Sequence, residues 1–301
     1  MLRVTKMQGA GNDFVVIDAL NQPFCPDSDT IRALCDRHYG IGADQLLVIE
    51  SPNAREADFG YRIFNNDGQE VEMCGNGARC FALYIWENSL SQARRIVAET
   101  KTRLVSMEIS DNQEVTVNMG KPGLLLSSSQ LNSALVEWTT TDRPLAKINL
   151  QGKVWSWDLL SFGNPHAVTV TQDELSSREV AYLGSQVENH PLFPEKINVE
   201  FLHVLSPTQA SLKVWERGAG MTLACGSGAC AAAVSGMLRG FFSKEVQLRM
   251  PGGKLTVAWD GLPESPVFLK GPAQTVFDTT VDIEKLKNAQ KQRLVTDSES
   301  L

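Results

Sequence analysis

The chain is poor in cysteine and histidine and carries no concentrated block of charge. Its six cysteines in 301 residues, Cys25, Cys35, Cys74, Cys80, Cys225 and Cys230, are too sparse for a disulfide scaffold, so reduced thiols are expected. Neither Cys74 with Cys80 nor Cys225 with Cys230 forms a CxxC pair, and no histidine stands at ligand spacing, which argues against a zinc site. No metal is expected. The net charge is −7, from 35 acidic and 28 basic residues, and no Lys/Arg cluster offers a footprint for nucleic acid. The opening MLRVTKMQGAGND has no apolar core behind its basic residues, so the expectation is a cytoplasmic protein. A nucleotide loop is missing too, since GAGND lacks the strand-helix setting of a GxGxxG turn, and no pyridoxal lysine is evident; no cofactor is expected.

Long apolar runs are scarce as well. Gly218 to Leu238 carries no charge, which is about the length of a membrane span, but Gly, Ser, Thr and Ala fill its first half where Leu, Ile and Val would be needed. A buried glycine-rich turn followed by a helix fits better, and no membrane contact is expected. The hydrophobic content of 43% is ample for cores, and the length suits about two domains.

What is present is a repeat. YRIFNNDGQEVEMCGNGARCFA, from Tyr61, lies over LKVWERGAGMTLACGSGACAAA, from Leu212, without a gap. Cys74 falls on Cys225, Asn65 on Glu216, Gly75 on Gly226 and Gly77 on Gly228. Upstream, GNDFVVID from Gly11 falls on GNPHAVTV from Gly163. Alternating segments such as VSMEIS, EVTVNM, KVWSWDLL, ASLKVW and VQLRM read as strands with one buried face. ARCFALYIWE and ACAAAVSGMLRG have helical length and no proline. The expectation is an α+β fold of two pseudo-symmetric domains, each a curved, mainly antiparallel sheet wrapped around a central helix. Gly, Pro and Ser between Asn118 and Ser133 mark the crossing, giving halves of 1–120 plus 273–301 and of 121–272. The charged tail from Glu284 reads as a surface helix or a frayed end.

A cysteine at a helix start feels the positive end of the macrodipole, which favours thiolate over thiol. The glycines beside it let backbone N–H groups approach and hold a carboxylate. Two such turns facing one ligand would set a base on one face of a carbon and an acid on the other, as inversion of a stereocentre by proton exchange requires.

At these residues the chain resembles the diaminopimelate epimerase family. The blocks MQGAGNDFVVID, RHYGIGADQLL, YRIFNNDGQEVEMCGNGARC, GNPHAV, INVEFL, VWERGAGMTLACGSGACAAA, MPGGKL and GPAQTVF occur in the family's order and cover most of the chain. The resemblance implies a diaminopimelate epimerase-like fold and pyridoxal-independent interconversion of LL- and meso-diaminopimelate for lysine and peptidoglycan synthesis. It implies Cys74 and Cys225 as the acid/base pair, with His166 and Glu216 beside the reacting centre. Backbone donors at Gly75, Asn76, Gly226 and Ser227 would hold the reacting carboxylate. Asn12, Gln45, Asn65, Asn164, Asn198 and Arg217 would bind the rest of the substrate, Arg217 pairing with the distal carboxylate. A homodimer is also implied. Met221 stands where the family has an acidic residue, which could alter the local charge at the thiol.

Blander readings compete at several positions. Free cysteine is a common packing residue, and for Cys80 and Cys230, inside the helices, packing is the better reading; the repeat argues against it for Cys74 and Cys225. His166 follows a Gly-Asn-Pro turn, where a satisfied loop histidine is common. Asn12, Asn65 and Asn164 could stabilise turns, Glu216 and Arg217 could form an exposed pair, and Gln45 could mark a strand entry. Rival functions are a proline or hydroxyproline racemase, a dithiol redox protein and a non-catalytic binding module.

Overall fold

The structure, a computed structural model, describes residues 1–141 and 144–290. It forms two compact units, one of Met1–Val117 with the chain from Pro272 on, the other of Asn118–Gly271. Residues 283–290 of the charged tail are helical; the rest of that tail lies outside the described residues.

The first unit begins with a tight hairpin. Strand Leu2–Gly9 turns into Asn12–Asp18 with Gly9 opposite Asn12. Ala10 and Gly11 take φ of 54° and 84°, the left-handed pair whose twist suits a two-residue hairpin. Asn12–Asp18 runs parallel to Gln45–Glu50, Phe14 beside Gln45, and helix Ser28–Cys35 supplies the crossover that parallel neighbours need. Gln45–Glu50 is antiparallel to Phe59–Asn65, Gln45 facing Asn65. A second crossover carries helix Gly75–Glu87 to strand Arg95–Glu99, parallel to Phe59–Asn65. Leu104–Ile109 follows antiparallel, and Gln274–Val281 closes the opposite edge against Leu2–Gly9.

The second unit repeats this order. Lys153–Ser161 turns into Pro165–Thr171, which is parallel to Asn198–Ser206 across helix Ser177–Glu188. Gln209–Glu216 is antiparallel to the latter, with Val199 opposite Trp215. Helix Gly226–Leu238 then leads to Glu245–Met250, parallel to Gln209–Glu216, and to the antiparallel Gly253–Ala258 and Val267–Gly271. The class is α+β, with parallel pairs where a helix crosses.

The two crossover helices Ser28–Cys35 and Ser177–Glu188 were not expected from the sequence, which suggested one helix per half. Both carry start signals. Asp27 accepts from the Thr30 N–H, and Ser176 with Glu179 forms a reciprocal capping box.

Each central helix is apolar around its circumference and buried accordingly. Every residue from Gly75 to Ile85 is buried, and every residue from Gly226 to Gly236 except Ser227. Each touches many strands of its own sheet, so the sheet curves around it. Phe81 packs on Tyr61 at 4.7 Å between ring centres, and full burial of such a side chain contributes roughly 1.5–3 kcal/mol. No helix among the described residues is long and apolar enough to cross a membrane. The uncharged run from Gly218 divides between a turn, the short strand Gly220–Met221 and the second central helix.

Both helices press their first turn onto a strand through a glycine. A Cβ at Gly77 would sit 2.6 Å from Tyr61 Oη, and one at Gly228 would sit 2.7 Å from Glu200 Oε1. Gly77→Ala is therefore expected to overpack the first unit and cost about 1–3 kcal/mol, read as a lower urea midpoint. A midpoint equal to wild type would show that the helix can back away freely.

Candidate active site

In the first unit the sheet register gathers a polar row at one end. Phe14, Gln45 and Asn65 are lateral neighbours on three strands, and Asn12 begins the first of these strands. Gln45 Nε2 donates to Asn65 Oδ1 at 2.9 Å. Cys74 caps the central helix, its Sγ accepting from the Gly77 N–H at 3.5 Å and donating to Asn12 Oδ1 at 3.6 Å. Asn76 Nδ2 reaches the same Asn12 oxygen at 3.4 Å, while Asn12 Nδ2 donates to Asp44 Oδ2 at 2.8 Å. Thus Cys74, Asn12 and Asn76 form one cluster, with Gln45 and Asn65 in the adjoining register positions.

The second unit has the matching row. His166, Asn198 and Glu216 are the lateral neighbours, since His166 stands beside Asn198 and Val199 opposite Trp215, and Asn164 precedes His166 by two residues, as Asn12 precedes Phe14. Cys225 caps the second central helix. Its thiol hydrogen-bonds the Glu216 carboxyl and lies 3.6 Å from Ser227 Oγ. Asn164 Nδ2 donates to Ser227 Oγ at 3.3 Å, and His166 Nε2 lies 3.1 Å from Asn164 Oδ1. Asn198 Oδ1 accepts the Arg217 backbone N–H at 2.9 Å. The Arg217 guanidinium itself points outward, donating to the Glu195 carbonyl at 3.1 Å.

The charges around the two thiols differ. Burial, then the Glu216 and Glu200 carboxyls, push the Cys225 thiol well above its ordinary value, against opposing hydrogen bonds from Ser227 and the Gly228 N–H. The sequence expectation of a thiolate favoured by the helix end is therefore reversed at Cys225, which is 5% exposed. Burial also raises the Glu216 carboxyl, while hydrogen bonds from Thr222, at 2.5 Å, and Cys225 pull it down. Around Cys74 the hydrogen-bonding groups include the Asn12 amide and the Gly77 N–H. Nearby, burial works against the Asp13 carboxylate, yet hydrogen bonds from Arg37 and Lys6 outweigh it and hold that carboxyl well below its usual range. Cys80 is wholly buried and pushed up to about 12 by burial, as befits a packing thiol.

Several residues of these clusters were not singled out in the sequence. Arg79, fully buried inside an apolar helix, donates to Asn76 Oδ1 at 2.8 Å and to the Pro272 carbonyl at 3.1 Å. A lone arginine within GARCFALYIW was the available signal. Glu200, also fully buried, bonds His166 Nδ1 at 2.7 Å; its signal was an acid inside the apolar strand INVEFL. Met221 faces Trp215 across a strand pair and packs on the apolar cluster around it. Among the described residues, no three His, Cys, Asp or Glu side chains gather as a metal site would need.

Sheets curved about a buried helix, once per unit, make up the fold of a hydroxyproline epimerase from Agrobacterium vitis, which superposes with a TM-score of 0.65 over 93% of this chain and 90% of that one at 16% identity. The protein is an isomerase of the racemase and epimerase class. The family model for diaminopimelate epimerase matches residues 4–125 and 159–276. The diaminopimelate epimerase of Teredinibacter turnerae is 46% identical over 282 residues, covering 94% of this chain and 99% of that one. That of Nitrosomonas europaea is 45% identical over 283 residues with the same coverage. The chain belongs to the diaminopimelate epimerase family.

The raised thiol at Cys225 has a measurable sign. Native Cys225 keeps its proton where an unfolded thiol would lose it, so its contribution to stability is full below about pH 8.5 and is lost as pH rises through the native value. Alkylation of ligand-free enzyme between about pH 7 and 10, mapped by peptide mass, should label exposed Cys25 first and Cys225 only toward the alkaline end. Equal labelling of the two near neutrality would contradict the electrostatics described.

Proposed function

We propose that this enzyme interconverts LL- and meso-diaminopimelate by proton exchange at one carbon, with Cys74 and Cys225 as base and acid on opposite faces and without a cofactor. The observation that carries the reading is that each central helix starts at a cysteine flanked by the same polar row, in a chain belonging to the diaminopimelate epimerase family. In the reaction a thiolate takes the α-hydrogen as a proton, and the electron pair left on carbon moves into the adjacent carboxylate. The thiol on the other face then gives its proton to that carbon, inverting it. The roles exchange in the reverse direction. Backbone N–H groups at Gly75, Asn76, Gly226 and Ser227 would share the charge that builds on the carboxylate. His166 and Glu216 would tune the thiol beside them. Asn12, Gln45, Asn65, Asn164 and Asn198 would hold the amino and carboxylate groups, and Arg217 would swing onto the distal carboxylate, its planar fork suiting two parallel hydrogen bonds. On this reading the enzyme is a cytoplasmic homodimer supplying meso-diaminopimelate for lysine and peptidoglycan precursors.

The direct test is purified protein on LL-diaminopimelate with no additions, following the meso isomer, with proline and trans-4-hydroxyproline as comparisons. Turnover of either proline in place of diaminopimelate would reject the substrate. Cys74→Ala and Cys225→Ala should each lower turnover by roughly two to four orders of magnitude, since each removes one face's proton carrier. Cys80→Ala and Cys230→Ala should stay active. Near-normal rates in Cys74→Ala or Cys225→Ala would exclude the two-thiol mechanism.

The origin of the new hydrogen is a second, independent check. With separate thiols the abstracted proton stays on one sulfur while the other, exchanged with solvent, delivers its own. In deuterated water early product should carry deuterium at the inverted carbon, and recovered substrate should remain unlabelled. Early product that keeps the substrate's hydrogen would point to a single base serving both faces.

A further inference from the structure

We propose that Glu200 is a positioning residue for the Cys225 thiol, acting through an unbroken side-chain path of His166, Asn164 and Ser227. The proposal rests on Cys225 being one of the two proton carriers. The path is continuous: Glu200 Oε1 lies 2.7 Å from His166 Nδ1, His166 Nε2 lies 3.1 Å from Asn164 Oδ1, Asn164 Nδ2 donates to Ser227 Oγ at 3.3 Å, and Ser227 Oγ lies 3.6 Å from Cys225 Sγ. Asn164 Oδ1 can only accept, so Nε2 carries a hydrogen, and the Glu200 carboxyl, raised by burial, engages Nδ1; together the two contacts fix the rotation of the imidazole. Each later contact then has one orientation to satisfy. At the end stands a hydroxyl, which can donate to a thiolate and accept from a thiol, so it serves Cys225 in both halves of the cycle. Glu200 also lies directly beneath the helix start, where a Cβ on Gly228 would come within 2.7 Å of its Oε1 and 3.3 Å of Cys225 Sγ.

The duplication argues that the fold itself does not require this pair. In the first unit the residue two after Asn12 is Phe14, and the residue two after its register partner Gln45 is Leu47. In the second unit the same counting from Asn164 and Asn198 gives His166 and Glu200. Phe14 and Leu47 are fully buried, as are His166 and Glu200, and Leu47 Cδ2 stands 3.2 Å from where a Cβ on Gly77 would be. An apolar pair therefore fills these two places in one copy of the framework. Apolar replacement of both members of a buried polar pair is often neutral or stabilising, because polar groups must be desolvated. Glu200 Oε2, moreover, is buried with no hydrogen-bond partner among the described residues, a cost that packing alone would not justify.

Glu200→Leu places in the second unit the side chain that the first unit already uses. Ring-nitrogen spectra of 15N-histidine enzyme are tractable with four histidines, His166→Gln identifying the signal. Wild type should carry a hydrogen on His166 Nε2, facing Asn164 Oδ1, with Nδ1 hydrogen-bonded to the Glu200 carboxyl. In Glu200→Leu the Nδ1 signal should move as its hydrogen bond is lost, alkylation of Cys225 should change severalfold relative to Cys74, and kcat should fall roughly tenfold to a hundredfold, as when an orienting partner is removed, with KM nearly constant. Glu200→Gln, which keeps a hydrogen-bonding partner for Nδ1, should recover part of each change. Should Glu200→Leu not fold, the same readings on Glu200→Gln decide. An unchanged His166 Nδ1 signal, or a moved signal with Cys225 reactivity and kcat unchanged, would overturn the proposal. Equal changes at Cys74 and Cys225 would also overturn it, since they would report general damage. The spectra and alkylation need no substrate, so they stand apart from the activity of Cys225→Ala, which decides the two-thiol reading itself.

Discussion

There is no room for a methyl group between either central helix and the strand against which it starts. At Gly77 the obstacle is Tyr61 Oη and at Gly228 it is Glu200 Oε1. Because the first turn is clamped this closely, the residue before it has one place to go, and in both units that residue is a cysteine with extended backbone. Its sulfur then faces the row of side chains at the strand ends. Helix burial, the tight turn and thiol position are thus one constraint, since loosening the first would misplace the last.

The same clamp explains why helix composition differs so much between two equivalent elements. The first central helix packs with Phe81, Leu83 and Ile85, the second with alanines, Cys230 and Val234. In the second, Gly236 lets the Phe242 ring close to 2.3 Å of where a Cβ would stand, so a small-residue helix is met by large groups from its surroundings. The volume is filled either way.

Much of the plan was legible in the sequence because it is written twice. Cysteine and glycine at matched spacing marked both helix starts, and alternation marked the strands before and after them. The crossover helices escaped because Ser28–Cys35 and Ser177–Glu188 are short, and their capping residues, Asp27 and Ser176, look like ordinary loop polarity until the parallel strand pairs they join are known. Glu200 escaped for a different reason. An acid within an apolar strand reads as a solvent-facing position, and only the pairing of His166 with Asn198 shows that it points at an imidazole. Nor could the raised thiol at Cys225 be read from its own neighbours in sequence, since the carboxyls responsible, Glu216 and Glu200, arrive from two other strands.

The two copies have kept geometry and divided chemistry. Asn12, Gln45, Asn65 and Asn76 of the first unit are neutral amides, and behind them lie Phe14 and Leu47; the matching places of the second hold Asn164, Asn198, Glu216 and Ser227, with His166 and Glu200 behind. At Cys225 the Glu216 and Glu200 carboxyls raise the thiol without moving a strand, whereas the Asp44 carboxylate meets the Cys74 cluster through Asn12. The duplicated backbone supplies the placement of each sulfur, and at Cys225 the surroundings supply the preference for thiol.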